Sequence, residues 1–275
     1  MDRSQEIERS IITTYRNKIW SKYLKAIIEY DMIQDGDKIA VCISGGKDSM
    51  LLAKCFQELK KHGKDNFDLE FIVMNPGYNE KNKQKIIENS NLLDIPITMF
   101  ETDIFSRVVN IENRACYICA RMRRGYLYEK AKELGCNKIA LGHHFDDVIE
   151  TILMGMFYGA QMQTMMPRLK STSHPGMELI RPLYFVKEAD IVNWKEKNNL
   201  EFIQCACRFT EDFVQGKSDS KREEMKSLIK QLRETCDNVD MNIFKSTENV
   251  NLDTIISYRK GEEIHHFLEK FEDEC

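Results

Sequence analysis

The segment Val41-Cys42-Ile43-Ser44-Gly45-Gly46-Lys47-Asp48-Ser49 carries the densest chemistry in the chain. An apolar run from Lys38 to Ile43 meets two glycines, then a lysine, an aspartate and a serine. A helix-forming run from Met50 to Leu59 follows. Glycines let backbone approach an anion closely, and N–H groups at a helix start point at it. Lys47 adds a mobile positive charge, and Ser44 and Ser49 add hydroxyl donors. Ser44, Gly45, Gly46, Lys47, Asp48 and Ser49 are therefore candidate phosphate-binding residues. The familiar Gly-x-x-x-x-Gly-Lys-Ser/Thr loop has a spacing that this segment lacks. A plain strand-to-helix turn would need the two glycines and none of the neighbours.

A second constellation is Leu141-Gly142-His143-His144-Phe145-Asp146-Asp147-Val148-Ile149-Glu150-Thr151. Gly142 permits close backbone approach. Acids at a helix start are favoured by its dipole and suit Mg²⁺, although Asp146 and Asp147 could equally be N-caps. His143 or His144 could be a base or an ordinary hydrogen-bonded histidine. A third is Cys116-Tyr117-Ile118-Cys119, a pair at a helix start, where thiolates are favoured. Alone it fits zinc, an iron–sulfur cluster or a redox disulfide. Cys205-Ala206-Cys207 lies 86 to 88 residues beyond Cys119. Tetrahedral zinc prefers two Cys-x-x-Cys pairs, whereas two plus one suits a four-iron cluster with one open iron. Cys42, Cys55 and Cys136 fall in strand or helix contexts and read as buried small hydrophobes.

The elements that would position these residues alternate. Lys38 to Ile43, Leu69 to Met74, Ile97 to Glu101 and Lys138 to Leu141 read as strands. Asp48 to His62, Lys81 to Leu93, Tyr117 to Leu134 and Asp146 to Tyr158 read as helices. Such alternation argues an α/β protein, a parallel sheet with helices on both faces. Ligands of these sheets sit beyond the carboxyl ends of the strands. Ser44 to Ser49, Met74 to Gly77 and Gly142 to Asp147 all fall at that edge. Ile7, Ile11, Tyr15, Ile19, Tyr23 and Ile27 recur every four residues and predict one long packing helix before the sheet. Gly159 to His174 reads as a loop, Leu179 to Leu183 as a further strand and Lys187 to Asn198 as a helix. After Cys207 the pattern is helical and charged, Ser218 to Glu234 and then Leu252 to Phe271. The expected organisation is an N-terminal helix at 1–36, a nucleotide- and cluster-binding domain at 37–176, and completion of the sheet with a helical C-terminal region at 177–275.

No apolar run approaches the ~20 residues that span a membrane. The first residues lack the layout of a signal peptide, so the nine cysteines are expected in a reducing cytoplasm. The net charge of −4 is uneven. Six acids and one lysine from Glu262 onward hold −5, which leaves the rest at +1. A near-neutral body can carry a basic face. Arg121, Arg123 and Arg124 follow the cysteine pair, and Arg168 and Lys170 lie in the later loop. Each is either a solvated cation or an RNA phosphate contact.

Ser-Gly-Gly-Lys-Asp-Ser resembles the PP-loop of the ATP pyrophosphatase superfamily, which cleaves ATP between the α and β phosphates and adenylates a substrate oxygen. Gly142 to Thr151 resembles its second signature, Gly-His-x-x-Asp-Asp-x-x-Glu-Thr. A narrower resemblance runs from about Ala26 to Cys207. Ala26-Ile27-Ile28-Glu29-Tyr30-Asp31-Met32-Ile33, Cys116 to Gly125, Gly142-His143-His144, Met156-Phe157-Tyr158-Gly159 and Ile180-Arg181-Pro182-Leu183 look like the tRNA 2-thiocytidine synthetase family. That resemblance implies ATP, Mg²⁺ and a [4Fe–4S] cluster on three cysteines, its fourth iron open to sulfur. It implies adenylation of the 2-oxygen of a cytidine in the tRNA anticodon loop, with release of pyrophosphate, then replacement of that oxygen by sulfur and release of AMP. Lys47, Asp48 and Asp147 become the expected catalytic residues. Met74 and Gly142 join Ser44 to Ser49 and Asp147 at the nucleotide. Cys116 and Cys119 become two cluster ligands. The family's Cys-x-x-Cys is one residue shorter here, so the third ligand is read as Cys207 with Cys205 kept beside it. A sulfur donor such as a cysteine desulfurase and a homodimer are the implied partners. The alternatives are another PP-loop tRNA enzyme, of the 2-thiouridine or lysidine type, and a non-catalytic zinc, nucleotide or RNA binder.

Overall fold

The computed structural model describes residues 2–63, 65–108, 115–203 and 221–269. The chain divides into two compact units, Met1–Val148 with Met165–Ser220 and Ile149–Thr164 with Lys221–Cys275.

The first unit is built on β1 (Lys38–Ile43), β2 (Asp68–Asn75), β3 (Ile97–Glu101), β4 (Lys138–Ala140), β5 (Arg168–Lys170) and β6 (Glu178–Ile180). Their order in the sheet is β3-β2-β1-β4-β6-β5, and every pairing is parallel except β5 with β6. β1 is central and buried from Ile39 to Ile43, so it reads as a continuous apolar run rather than an alternating one. Its neighbours β2 and β4 follow in opposite directions along the sheet. The gap beyond β1 and β4 is thus the topological switch point, where open α/β sheets take their ligands.

Between the strands run α3 (Lys47–His62), α4 (Glu80–Leu92), α5 (Ile104–Val108), α6 (Ala115–Glu133), the start of α7 (Phe145–Gly159) and α8 (Glu188–Lys197). On one face of the sheet, Ala40, Cys42, Ile72, Ile139 and Leu179 pack with Tyr128 and Ala131 of α6. α3 buries Met50, Leu51, Leu52, Ala53, Cys55 and Phe56, each large side chain contributing about 1.5–3 kcal/mol. Lys54 on the same helix is 1% exposed, and its Nζ lies 2.5 Å from Glu8 and 2.9 Å from the Leu93 carbonyl. This buried pair fastens the N-terminal segment to α3.

That segment is not one helix. α1 (Arg3–Ile12) ends at Thr13, a π-helical turn spans Arg16–Trp20, and α2 (Ser21–Glu29) follows. The six predicted apolar residues are nonetheless all buried. A strict spacing of four drifts about 40° per step around an α-helix and would carry the stripe off its packing face. The break and the wider π turn bring it back.

Gly159 to His174, expected as loop, contains β5. Arg168 in β5 is tied to Glu178 at 2.8 Å and Asp31 at 2.9 Å, so it serves the sheet edge rather than a ligand. Lys170 is exposed.

In the second unit, Glu150 of α7 is 2% exposed and pairs with Arg222 of α9 (Lys221–Thr235) at 3.2 Å. α10 (Val239–Lys245) joins α9 through Arg233 and Asp240 at 2.8 Å. The helix expected from Leu252 to Phe271 is instead a short 3₁₀ turn and a hairpin, β7 (Ser257–Lys260) with β8 (Glu263–His266). Lys260 pairs with Glu263 across Gly261 and Glu262, and Gly261 has φ +65°. Glycine at the first position of a two-residue loop is a hairpin signal that outweighs the weak helical pattern. No described helix is long and apolar enough to cross a membrane.

Candidate nucleotide site

The turn from β1 into α3 is held by its own serines. Ser49 Oγ donates to the Gly46 carbonyl at 3.0 Å and accepts from the Ser44 N–H at 3.1 Å. Gly45 has φ +86°, and a Cβ there would stand 2.6 Å from both Ile86 and Ile203. No side chain caps α3, so its first N–H groups remain directed at whatever lies beyond β1. Gly142 lies where the end of β4 crosses this turn. A Cβ at that position would meet the Asp48 carbonyl carbon and the Ser49 nitrogen at 3.1 Å. A methyl here would press backbone against backbone.

A cleft of about 500 Å³ opens at this junction. Ser44, Asp48, Ser49, Met74, Gly142 and Asp147 line it, six of the residues predicted to hold nucleotide. Its far wall is Ala120, Arg123, Arg124 and Leu127 of α6, together with Arg181. Arg123 and Arg124 thus turn toward the cleft, and the basic run after the cysteines is more than a solvated face. Arg181 is 6% exposed, donates from Nε to His143 Nδ1 at 3.3 Å, and also donates to the Met166 carbonyl. Burial draws its pKa down to about 10, with the Arg124 charge adding to the effect. The sequence motifs include Arg181 without giving it a role. Its place at the carboxyl end of β6, next to β4, is the signal that could have found it.

The acids divide their work. Asp48 is half-buried, and burial holds its carboxyl above the ordinary range, with Asp147 adding to that while His144 and Lys47 oppose it. Its Oδ1 is buried without a hydrogen bond, 3.2 Å from Lys47 Nζ and 3.8 Å from His144 Nε2. Two carboxylates and an oxygen lacking a hydrogen bond beside a phosphate cradle fit a hard divalent cation. Asp147 Oδ2 accepts from the His144 N–H at 3.0 Å, and the Asp147 N–H returns a bond to His144 Nδ1 at 3.4 Å, so His144 caps α7. Asp146 points elsewhere. Its Oδ2 accepts the Glu188 N–H at 2.7 Å and caps α8. Lys47 lies beside the cleft rather than in its lining. Its Nζ sits 2.9 Å from Glu188 Oε1 and 3.2 Å from Asp48 Oδ1. Burial works against the charge on Lys47, but the two carboxylates outweigh it and raise its pKa.

Cys119, one residue before the cleft wall, is 8% exposed among Met74, Ile104, Phe105 and Val108. Cys116 lies three positions earlier on α6, a spacing that places both positions along one helix face. The residue types at these positions, two cysteines at a helix start, suit iron–sulfur ligation. Cys205 and Cys207 lie outside the described residues. Among the described residues no three His, Cys, Asp or Glu side chains gather as a metal site. Cys42 also lines the cleft, and burial pushes its thiol up, which keeps it protonated as the hydrophobe expected.

A glycine-lined anion cradle, paired acids and a switch-point cleft define a nucleotide-binding α/β protein. A family model described as a PP-loop domain matches residues 15–215. The tRNA-cytidine(32) 2-sulfurtransferase of Paraburkholderia xenovorans (strain LB400) is 35% identical over 244 residues, covering 85% of this chain and 70% of that protein. The enzyme of the same name from Neisseria meningitidis serogroup C (strain 053442) is 39% identical over 186 residues, 66% of this chain and 57% of its own length. The chain belongs to the PP-loop family and, within it, to the tRNA-cytidine 2-sulfurtransferase family. Its fold is also that of the U34-tRNA thiolase NcsA from Methanococcus maripaludis, solved with its [4Fe–4S] cluster. The TM-score is 0.65 at 21% identity, over 83% of this chain and 76% of that one.

Proposed function

We propose that the protein is an ATP-dependent tRNA sulfurtransferase that adenylates the 2-oxygen of a tRNA cytidine and replaces it with sulfur. The observation that carries this reading is the cleft, which joins the cradle at β1 to the arginine wall of α6 directly beside Cys119. In the first half-reaction the cytidine O2 attacks the α-phosphorus, and the bond to the β-phosphate breaks with pyrophosphate leaving. The Gly45-Gly46 turn, Ser44, Ser49 and the first N–H groups of α3 hold the phosphates. Lys47 balances the charge on the departing pyrophosphate. Asp48 and Asp147 would hold Mg²⁺, which would spread phosphate charge there. Met74 and Gly142 shape the pocket. In the second half-reaction a sulfur nucleophile adds to C2 and AMP leaves with the former carbonyl oxygen. Cys116, Cys119 and Cys207, with Cys205 as the other choice for the third ligand, would hold a [4Fe–4S] cluster whose open iron supplies the sulfur site. Arg123, Arg124 and Arg181 bind phosphate groups of ATP or tRNA on the far wall.

The reading extends to the anticodon loop as target, a donor such as a cysteine desulfurase as the sulfur source, the cytoplasm as location and a homodimer as assembly. Anaerobically prepared protein tests the core of it. The account predicts brown protein with broad visible absorbance and pyrophosphate release that rises when tRNA is added. Colourless protein with stoichiometric zinc, or ATP bound without pyrophosphate release, overturns it.

A further inference from the structure

Glu188 is the first residue of α8 and belongs to none of the motifs used so far. Its carboxylate nonetheless reaches into the cradle, with Oε1 2.9 Å from Lys47 Nζ. The side chain is 31% exposed, and α3 packs against α8. The start of α8 is itself fixed by the second nucleotide motif. Asp146 Oδ2 accepts the Glu188 N–H at 2.7 Å, and the Phe145 N–H donates to the Val186 carbonyl at 2.9 Å. The paired acids of that motif therefore look in two directions. Asp147 faces the cleft, and Asp146 faces Glu188.

We propose that Glu188 is a positioning residue for Lys47, and that Asp146 acts through it. The proposal rests on the sulfurtransferase reading for its kinetic arm only. An ammonium has three N–H donors and four rotatable bonds behind it. Glu188 and Asp48 engage two of the donors, one carboxylate from α8 and one from α3. Nζ is then held in one place and the third donor is left for a phosphate oxygen. Without Glu188 the lysine keeps its charge partner Asp48 but loses its fixed direction. Phosphate still binds through the backbone cradle, while the donor that meets the leaving pyrophosphate is misplaced. Preorganised donors count most where charge develops, so the loss falls on turnover rather than on affinity.

The test uses the full-length holoprotein and three variants: Glu188→Ala, Glu188→Gln and Asp146→Ala. Tryptic mapping after brief treatment with an amine-acylating reagent reports how accessible Lys47 Nζ is. Titration calorimetry with a non-hydrolysable ATP analogue reports affinity, and tRNA-dependent pyrophosphate release reports kcat. The expected result for Glu188→Ala is about tenfold lower kcat, an analogue Kd within about threefold of wild type, and faster acylation of Lys47. The amide oxygen of Glu188→Gln still accepts from Lys47, so its kcat returns to within about threefold of wild type. Asp146→Ala, which removes the acceptor of the Glu188 N–H, shows the same pattern as Glu188→Ala in weaker form. Wild-type kcat and wild-type Lys47 labelling in Glu188→Ala would overturn the proposal. So would a Kd that rises in step with the fall in kcat, which would make Glu188 a binding or merely structural group. If wild-type protein itself releases no pyrophosphate, the sulfurtransferase reading fails, and the labelling arm still decides whether Glu188 holds Lys47.

Discussion

Gly142→Ala probes the crossing of β4 over the cradle. Gly142 has an ordinary φ, so alanine brings no backbone strain of its own there. The added Cβ would stand 3.1 Å from the Asp48 carbonyl carbon and the Ser49 nitrogen and 3.2 Å from the Asp48 oxygen. Those are backbone atoms in the first turn of α3 and cannot rotate away. The end of β4 and the cradle must move apart by a few tenths of an ångström. Overpacking of this kind costs about 1–3 kcal/mol. If it falls on the geometry that grips phosphate, it is a loss of about 5- to 150-fold in nucleotide affinity. Gly135→Ala is the control. Gly135 has φ +73° with nothing within 4 Å of an added methyl, so it suffers backbone strain of about 1–2 kcal/mol with no clash. Calorimetric titration with an ATP analogue and a melting curve separate the two. Gly142→Ala should lose affinity by about fivefold or more, and Gly135→Ala should lose a few degrees of Tm while binding as wild type. Wild-type affinity in Gly142→Ala would refute the reasoning, because it would mean that the cradle does not depend on this crossing.

Other changes test other links. Lys47→Ala should abolish pyrophosphate release while the far-UV circular dichroism stays that of the folded protein. Cys119→Ala should lose iron, measured by metal analysis, and keep ATP-analogue affinity. Asp48→Asn should remove catalysis yet raise the Tm of nucleotide-free protein at about pH 7. Burial raises the Asp48 pKa, so the folded state binds its proton more tightly than the unfolded chain does, and stability falls as pH rises through the raised pKa. The gain from Asp48→Asn should therefore vanish in melts run below the ordinary carboxylate range. Glu8→Ala removes the counter-charge of the buried Lys54 and should cost about 3–5 kcal/mol, seen as a lower midpoint of denaturant unfolding.

Much of this was legible in the chain because it is local. The strand, the two glycines, Lys47, Asp48 and Ser49 are consecutive, and the same is true of Gly142 to Asp147, so spacing alone placed both motifs at one sheet edge. The alternation of apolar strands with amphipathic helices gave the parallel sheet for the same reason. What stayed hidden depends on distance in sequence. Glu188 meets Lys47 across 141 residues, and nothing in its own neighbourhood marks it. Asp146 and Asp147 look alike in the sequence, and only the arrival of α8 separates a helix cap from a cleft-facing acid. β5 is three residues long and pairs antiparallel with β6, too short for any period to show. The terminal hairpin is hidden because its charges suggest a solvated helix, although Gly261 carries the turn.

The most direct test of the central claim is mass spectrometry of thiolated nucleosides in tRNA from cells with and without the gene for this protein. The account predicts specific loss of 2-thiocytidine in the deletion strain and its return when the intact gene, but not a Lys47→Ala copy, is restored. Unchanged 2-thiocytidine in the deletion strain would contradict it.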